Sequence, residues 1–462
     1  MTTNDISDSE AEGKLKGNLT RFVYFRLFYN ARFYYPIFTI LFLDYGLTLE
    51  QFAILNLVWA LTIVVAEVPS GALADIIGRK RLLVTAASLM VVEMLLLVLV
   101  PMGASPLLFS VFLLNRICSG LSEAAASGAD EALVYDSLKA LGRESEWAQL
   151  LERTTTTVSI GFFVTMISGA LLYDAGLVNG VLGWLHADWS LSAETVIRLP
   201  IVFTLLNACV VLVITLGFKE PTVASTGKEP HRSLWQQLLG PFRQIMAAAR
   251  WTLGHRFVLL VILSALALDS VARQFVVLAS EYYRIIDIPI AWFGFIGAAM
   301  SLLGILNAKL SRRMVSRQAP FTNLLWLSAV LMLGFIGITF VVPLFGVVFA
   351  VAAFSILGMV SYQSSYYINK EVDSAHRATV LSFRGLALNL GLGLASLFYT
   401  GLIAAIKTQE ATGLADDVLR ETVFTQALPA FPLYFLVLLA GVLLVGRLAV
   451  SKRDVFFRRP TD

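Results

Sequence analysis

Apolar runs long enough to cross a bilayer, each bounded by charge, glycine or proline, recur twelve times along this chain. The first six are Phe22–Tyr45, Phe52–Ala74, Leu82–Val100, Leu107–Val134, Thr155–Ala175 and Ile197–Phe218. The second six are Phe257–Tyr283, Ile290–Leu310, Phe321–Val341, Leu344–Ile368, Thr379–Ile406 and Pro429–Val450. No other feature restricts the fold as tightly. Lipid offers backbone N–H and C=O groups no partner, so each run must satisfy its own as a helix. Composition points the same way: 57% of the 462 residues are hydrophobic and 15% charged, against about 25% charged in soluble domains. The expected fold class is an all-α membrane protein of twelve transmembrane helices.

Several functions are excluded early. The net charge is only +3 and the basic residues are scattered, which leaves no footprint for a nucleic acid. Cys118 and Cys209 both lie inside apolar runs, and no CxxC or Cys/His cluster is present to hold a metal or a disulfide framework. No cofactor is expected. His186, His231, His255 and His376 all fall in loops or the central connector, and there is no HExxH, Ser/His or paired-Asp constellation for an intramembrane enzyme. A GxxxxGK[ST] phosphate loop is also lacking, so an ATP-driven pump has no motif. Residues 1–20 are polar and partly acidic, without the basic-then-apolar pattern of a removable signal peptide.

Sidedness follows from the loops. Almost all loop lysines and arginines fall on one side, whereas the other receives only Arg198, Arg284, Lys407 and Arg420. Short cytoplasmic loops carry such an excess, so both termini are expected in the cytoplasm and the chain in the cytoplasmic membrane. The organisation expected is an N-terminal tail (1–21), a six-helix bundle (22–218), a connector (219–256), a second six-helix bundle (257–450) and a C-terminal tail (451–462). The connector begins Glu220-Pro221 and contains an amphipathic basic stretch from Leu234 to Trp251. It can lie flat on the inner leaflet or serve as a plain tether.

The two halves resemble each other weakly. At an offset of 231, Arg153 falls on Arg384, each just before a glycine-spaced helix; at 233, Gly71, Arg79 and Lys80 fall on Gly304, Arg312 and Arg313. Repeated six-helix halves with a binding site between them are a common plan of secondary carriers.

The most specific local signal stands between spans two and three: Gly71-Ala-Leu-Ala-Asp75-Ile-Ile-Gly78-Arg79-Lys80-Arg81. Gly71 permits close helix approach, Gly78 suits a tight turn, and Asp75 presents a charge with which Arg79 can pair. This segment resembles the G-x-L-a-D-r-x-G-R-[KR] signature of the major facilitator superfamily, and the resemblance extends over the whole chain through the twelve spans and the six-plus-six division. It implies that Asp75 and Arg79, with Glu67, Gly71, Gly78 and Lys80, belong to a cytoplasmic gate. Span four adds Asn115-Arg116-Ile-Cys-Ser-Gly120, similar to the R-x-x-x-G pattern of that helix in the superfamily, where the arginine is associated with proton transfer. In span five Gly169-Ala170 stands where drug exporters carry a Gly-Pro pair.

Ionisable groups inside a span cost about 2.5–3.5 kcal/mol each on insertion scales and usually face a bundle interior or a cavity. Here they are many: Arg26 and Arg32 in span one, Glu67 in span two, Glu93 in span three, Arg116, Glu123 and Asp130 in span four, Asp269 and Arg273 in span seven, and Arg384 in span eleven. Heptad spacing puts Arg116, Glu123 and Asp130 near one stripe. Asp269 and Arg273 can pair along their own helix. One reading lines a central cavity with Arg32, Arg116 and Glu123, the arginines holding an anionic or zwitterionic group and Glu123 or Asp130 exchanging a proton. The other makes them fixed ion pairs, such as Arg32 with Glu123. Asn30 in span one, and Tyr362 and Gln363 at the end of span ten, suit a semi-polar organic ligand.

The chain is therefore expected to be a secondary transporter of a small organic solute, not an enzyme, working as a monomer in the bilayer by rocking of its halves. Proton-coupled export is the first reading. Uptake of an anionic or zwitterionic metabolite, favoured by the missing Gly-Pro pair, is the second, and a non-transporting sensor on the same fold is the third.

Overall fold

The computed structural model describes residues 3–186, 189–221, 234–410, 415–449 and Phe456. All regular structure among them is helical. Eleven helices are long and apolar enough to cross a membrane, one fewer than expected, and the difference lies in span one. There α1 (Thr3–Asn30) stops, the chain runs irregularly into a single 3-10 turn (Tyr35–Ile37), and α2 (Phe38–Asp44) resumes the crossing. Pro36 accounts for the interruption, because proline lacks an N–H and disfavours helical geometry in the residue before it. The backbone groups freed there find side chains: Asn207 Nδ2 donates to the Ala31 carbonyl at 2.7 Å, and the Phe33 N–H donates to Thr204 Oγ1 at 3.0 Å.

Span two is α3 (Leu49–Ile77), and span three is α4 (Arg79–Leu99). Span four is also broken, into α5 (Pro106–Ala126) and α6 (Ala129–Ala140). Between them Gly128 takes φ +74°, a left-handed geometry that only glycine adopts without strain. Then follow α7 (Trp147–Tyr173, span five), the short α8 (Ala175–Trp184) and α9 (Ala193–Gly217, span six). The connector contributes α10 (Leu234–Gly254), whose Trp251 stacks on His255 and His376. The other spans are α11 (Arg256–Val277) with its extension α12 (Ala279–Ile285), α13 (Ile290–Arg317), α14 (Pro320–Ile338), α15 (Gly346–Glu371) and α16 (Ser374–Glu410). The last is α18 (Ala430–Ala449), preceded by α17 (Asp416–Ala427). Connector residues 222–233 and most of the tail 451–462 lie outside the described residues; Phe456 is buried against Phe257 and Phe321.

The chain forms two compact units, Met1–Pro36 with Thr62–Phe242 and Ile37–Leu61 with Arg243–Asp462. The segment Ile37–Leu61, which the sequence assigns to the first bundle, thus clusters with the second. Inside the first unit Phe22, Phe25 and Tyr29 pack on Leu83, Met90, Val211 and Phe218. Inside the second, Phe275 is ringed by Tyr282, Phe335, Phe354 and Phe431 with centroids 5.3–6.1 Å away. Lipid tails are as apolar as these side chains, so close packing rather than water exclusion holds such helices together.

Polar bonds hold Ile37–Leu61 to the rest of the second unit. Ser280 Oγ accepts from the N–H groups of Thr39 and Ile40 at 2.9 and 3.1 Å, and the Thr39 hydroxyl donates to the Val277 carbonyl. Arg284 meets Asp44 at 2.6 Å, and Lys407 meets Glu50 at 3.2 Å. Arg420 pairs with Glu281 and Asp417, each at 3.2 Å. In the first unit Arg198 donates to the carbonyls of Val98 and Val100, both at 3.1 Å. Each cation that the sequence puts on the sparsely charged side therefore has a structural partner.

Candidate functional site

The signature turn is built around Gly78, whose φ of +92° lets the chain reverse between α3 and α4. An arginine and an acid of span four meet there. The Arg79 guanidinium pairs with Asp136 on α6 and donates to the Ala132 carbonyl at 2.8 Å. The expected Asp75 pairing falls outside the described residues, since the Asp75 side chain is not among them. Glu220, at the start of the connector, accepts from the N–H groups of Arg79 and Lys80 at 3.0 and 2.9 Å. It thus caps α4, supplying acceptors and negative charge where a helix start needs both. Gly71 differs from expectation: a Cβ added there would meet nothing within 4 Å, so no close helix approach requires the glycine.

Deeper in the first unit the charges sort into three sets. Arg32, at the break in span one, bonds Glu93 at 2.7 Å and the Tyr34 hydroxyl at 3.1 Å, with the Tyr29 and Tyr35 rings 5.5 and 6.0 Å from its guanidinium. Arg32 is 3% exposed and Glu93 not at all. This corrects the expected partner of Arg32, which is Glu93 on α4 rather than Glu123. Arg116 is buried beside them, donating to Asn115 Oδ1 at 3.1 Å, while Asn115 Nδ2 donates to the Glu93 carbonyl at 2.8 Å. The second set is Asp130, buried and held by Arg26, which also reaches Glu131 at 2.7 Å. Asn30 donates back to the Arg26 carbonyl at 2.7 Å, a local helix bond and not a free amide.

Glu123 stands apart. It is exposed on α5 and makes no ion pair among the described residues. Glu67 on α3 lies within electrostatic reach of it. The stripe expected from heptad spacing does not form: Arg116 is buried, Glu123 exposed and Asp130 buried. Arg116 and Glu123 already differ in burial on the continuous α5, and the Ser127-Gly128 break then rotates α6 out of the register of α5, so Asp130 does not continue a face with them.

In the second unit Asp269 and Arg273 pair along α11, and Arg273 extends to Asn389 Oδ1 on α16 at 3.0 Å. Arg384, also on α16, reaches Ser361 Oγ at 3.5 Å. Tyr362 is half-buried. Gln363 is 4% exposed and turned into the bundle, its amide against Met314 sulfur at 3.7 Å, with Ser264, Leu268 and Tyr367 around the same narrow cavity. Gln363 thus lines a cavity within the second unit. No group of three or more His, Cys, Asp or Glu suited to a metal occurs among the described residues.

The sequence matches the profile of the Major Facilitator Superfamily over residues 22–396. The chain belongs to this superfamily. Among curated proteins none matches it. Solved structures match closely in fold. A bacterial homologue of the human lysosomal transporter Spinster, captured inward-facing and unoccupied, superposes with a TM-score of 0.66 at 16% identity, covering 95% of this chain and 97% of that one. The nucleoside transporter NupG gives 0.64 at 14% identity, covering 95% and 99%. A D-xylose-proton symporter gives 0.59 at 11% identity, covering 96% and 98%. At such identities the likeness is one of fold, and the fold is that of Major Facilitator Superfamily transporters.

Two functional-site features of this superfamily member escaped the sequence. Asp136 and Glu220 hold the signature turn from 57 and 141 residues away along the chain. Glu220 carries a faint signal, standing with Pro221 where the chain leaves span six. Glu93 was legible as an intramembrane charge, but nothing local tied it to Arg32.

Proposed function

We propose that this protein is a proton-coupled secondary transporter that moves a small organic solute across the cytoplasmic membrane by alternating access. One observation carries the coupling. Of the carboxylates inside the spans of the first unit, Asp130 and Glu93 are closed off by Arg26 and Arg32, whereas Glu123 is exposed and unpaired among the described residues. Glu67 lies within electrostatic reach of it, and its Oε2 has no hydrogen-bond partner among the described residues. Two span carboxylates so placed, neither in an ion pair among the described residues, form a place where a proton can be carried. The first reading is export; it rests on the signature loop joined to the span-four arginine. Uptake of an anionic or zwitterionic metabolite is the second reading, favoured by Gly169-Ala170 in the place of a Gly-Pro pair.

The test is proton flux. Full-length protein in liposomes with an internal pH-sensitive dye is challenged with organic cations, anions and zwitterions under an imposed pH gradient. Solute-dependent proton movement that Glu123→Gln abolishes supports the reading. Tracer flux that persists without proton movement rejects coupling.

A further inference from the structure

Span five carries a polar face where a lipid-facing helix should be apolar. Gln149, Glu152, Arg153, Thr156 and Thr157 recur at spacings of three and four, so they occupy one side of the first turns of α7. They border an open recess of about 740 Å³ that Lys16 and Thr20 of α1 and Leu138 of α6 also line. That volume lies in the range of organic-ligand sites. All of these residues belong to the first unit.

The hydrogen-bonding state of the walls narrows what the recess can hold. The Thr156 and Thr157 hydroxyls already donate, to the carbonyls of Glu152 and Arg153 at 2.9 and 2.8 Å, so toward the recess they can only accept. Arg143 is engaged by both oxygens of Glu146, at 2.6 and 2.7 Å. Glu152 and Arg153 are different: neither side chain has a hydrogen bond or ion pair among the described residues. Adjacent residues of a helix point about 100° apart and do not face each other. Among the described residues the recess therefore presents Arg153 and Glu152 as a cation and an anion outside any ion pair, with Lys16 on the facing wall engaged elsewhere and acceptor oxygens beside the anion.

We propose that this recess is a binding site for a zwitterionic organic group, its anionic end on Arg153 and its ammonium end on Glu152 and the threonine hydroxyls. The inference rests on the transport reading in naming a substrate class for it. By the loop charges, the site opens at the cytoplasmic end of span five. The same chemistry can come from a free solute or from the headgroup of a zwitterionic phospholipid.

Binding is measured by calorimetry on full-length protein in phosphatidylglycerol nanodiscs, with O-phosphoethanolamine and γ-aminobutyrate as zwitterions and with ethanolamine and inorganic phosphate as single-charge controls. At least one zwitterion is expected to bind about tenfold more tightly than either control, and Arg153→Gln and Glu152→Gln each to weaken it about tenfold, the loss of one charged hydrogen-bond partner. Both side chains are exposed, so the thermal midpoint of the variants should stay at the wild-type value. In discs of phosphatidylethanolamine, loss of binding assigns the site to the lipid headgroup and retained binding assigns it to a soluble solute. Wild-type protein that binds neither zwitterion, or an Arg153→Gln variant that binds as wild type does, overturns the proposal. Binding is read without flux, so failure of the transport reading, seen with Glu123→Gln, is a separate result.

Discussion

Arg284 donates to Asp44 across 2.6 Å, joining the end of span seven to the end of span one within the second unit. The same guanidinium also reaches Glu281, a carboxylate only 2% exposed that Arg420 approaches from the other side at 3.2 Å. Removing Arg284 leaves Glu281 buried with a single counter-charge. Arg284→Gln should destabilise the protein by about 1.5–3 kcal/mol, the loss of a charged hydrogen bond to a buried carboxylate that keeps Arg420 as its counter-charge. Asp44→Asn removes a partner that is 23% exposed and should cost about 1 kcal/mol or less. Thermal unfolding of the two variants in detergent checks the order; equal losses would contradict it.

The Arg32–Glu93 pair gives a second test. Glu93→Leu strands a buried guanidinium and should lower stability by about 3–5 kcal/mol, while replacing Arg32 and Glu93 together by leucine should cost much less than the sum of Arg32→Leu and Glu93→Leu. A double-mutant cycle in thermal unfolding measures the coupling. Additive single effects would mean that the pair does not act as a unit.

Gly169 should not accept a side chain. A Cβ there would lie 1.9 Å from the Phe33 carbonyl oxygen, an atom of the backbone at the span-one break. Gly169→Ala is expected to lose at least about 2 kcal/mol or fail to accumulate in the membrane. Gly71→Ala, with nothing within 4 Å of the new carbon, should be neutral to slightly stabilising. Expression and unfolding temperature of the pair decide the matter.

Acid should act on the loop between spans four and five. The Arg143 guanidinium that donates to Glu146 holds this carboxyl below its ordinary value of 4.5. A depressed carboxyl contributes its stability above the ordinary value and loses it as the pH falls through the depressed one. The thermal midpoint of Glu146→Gln should therefore differ slightly from wild type at neutral pH, and the two should converge below about pH 4. A gap that widens on acidification would reverse the sign and refute the assignment.

The sequence carried most of the architecture because each span is a local object, defined by its own run of apolar residues. Gly71 to Lys80 was legible for the same reason. What the sequence missed lies in pairings across helices. The sequence offers Asp75 as the partner of Arg79, and nothing local selects Asp136, on a helix far along the chain. The failed stripe of Arg116, Glu123 and Asp130 has a different origin. Arg116 and Glu123 part in burial within the unbroken α5, and before Asp130 the Ser127-Gly128 dipeptide, a turn signal inside an otherwise apolar run, ends the helix on which seven-residue spacing could hold a face. Pro36 is the same kind of mark in span one, visible in the sequence but outweighed there by the length of the run.

The Glu220 cap has a mechanical consequence. The long connector does not hang from the last turn of span six alone; the carboxylate of Glu220, its second residue, is fastened to the start of span three by two bonds from backbone N–H groups, 3.0 and 2.9 Å long. Pro221, the next residue, is buried, so the chain leaves this point already anchored. The connector thus starts at the Gly78 turn, the place in the chain where the superfamily signature reverses direction.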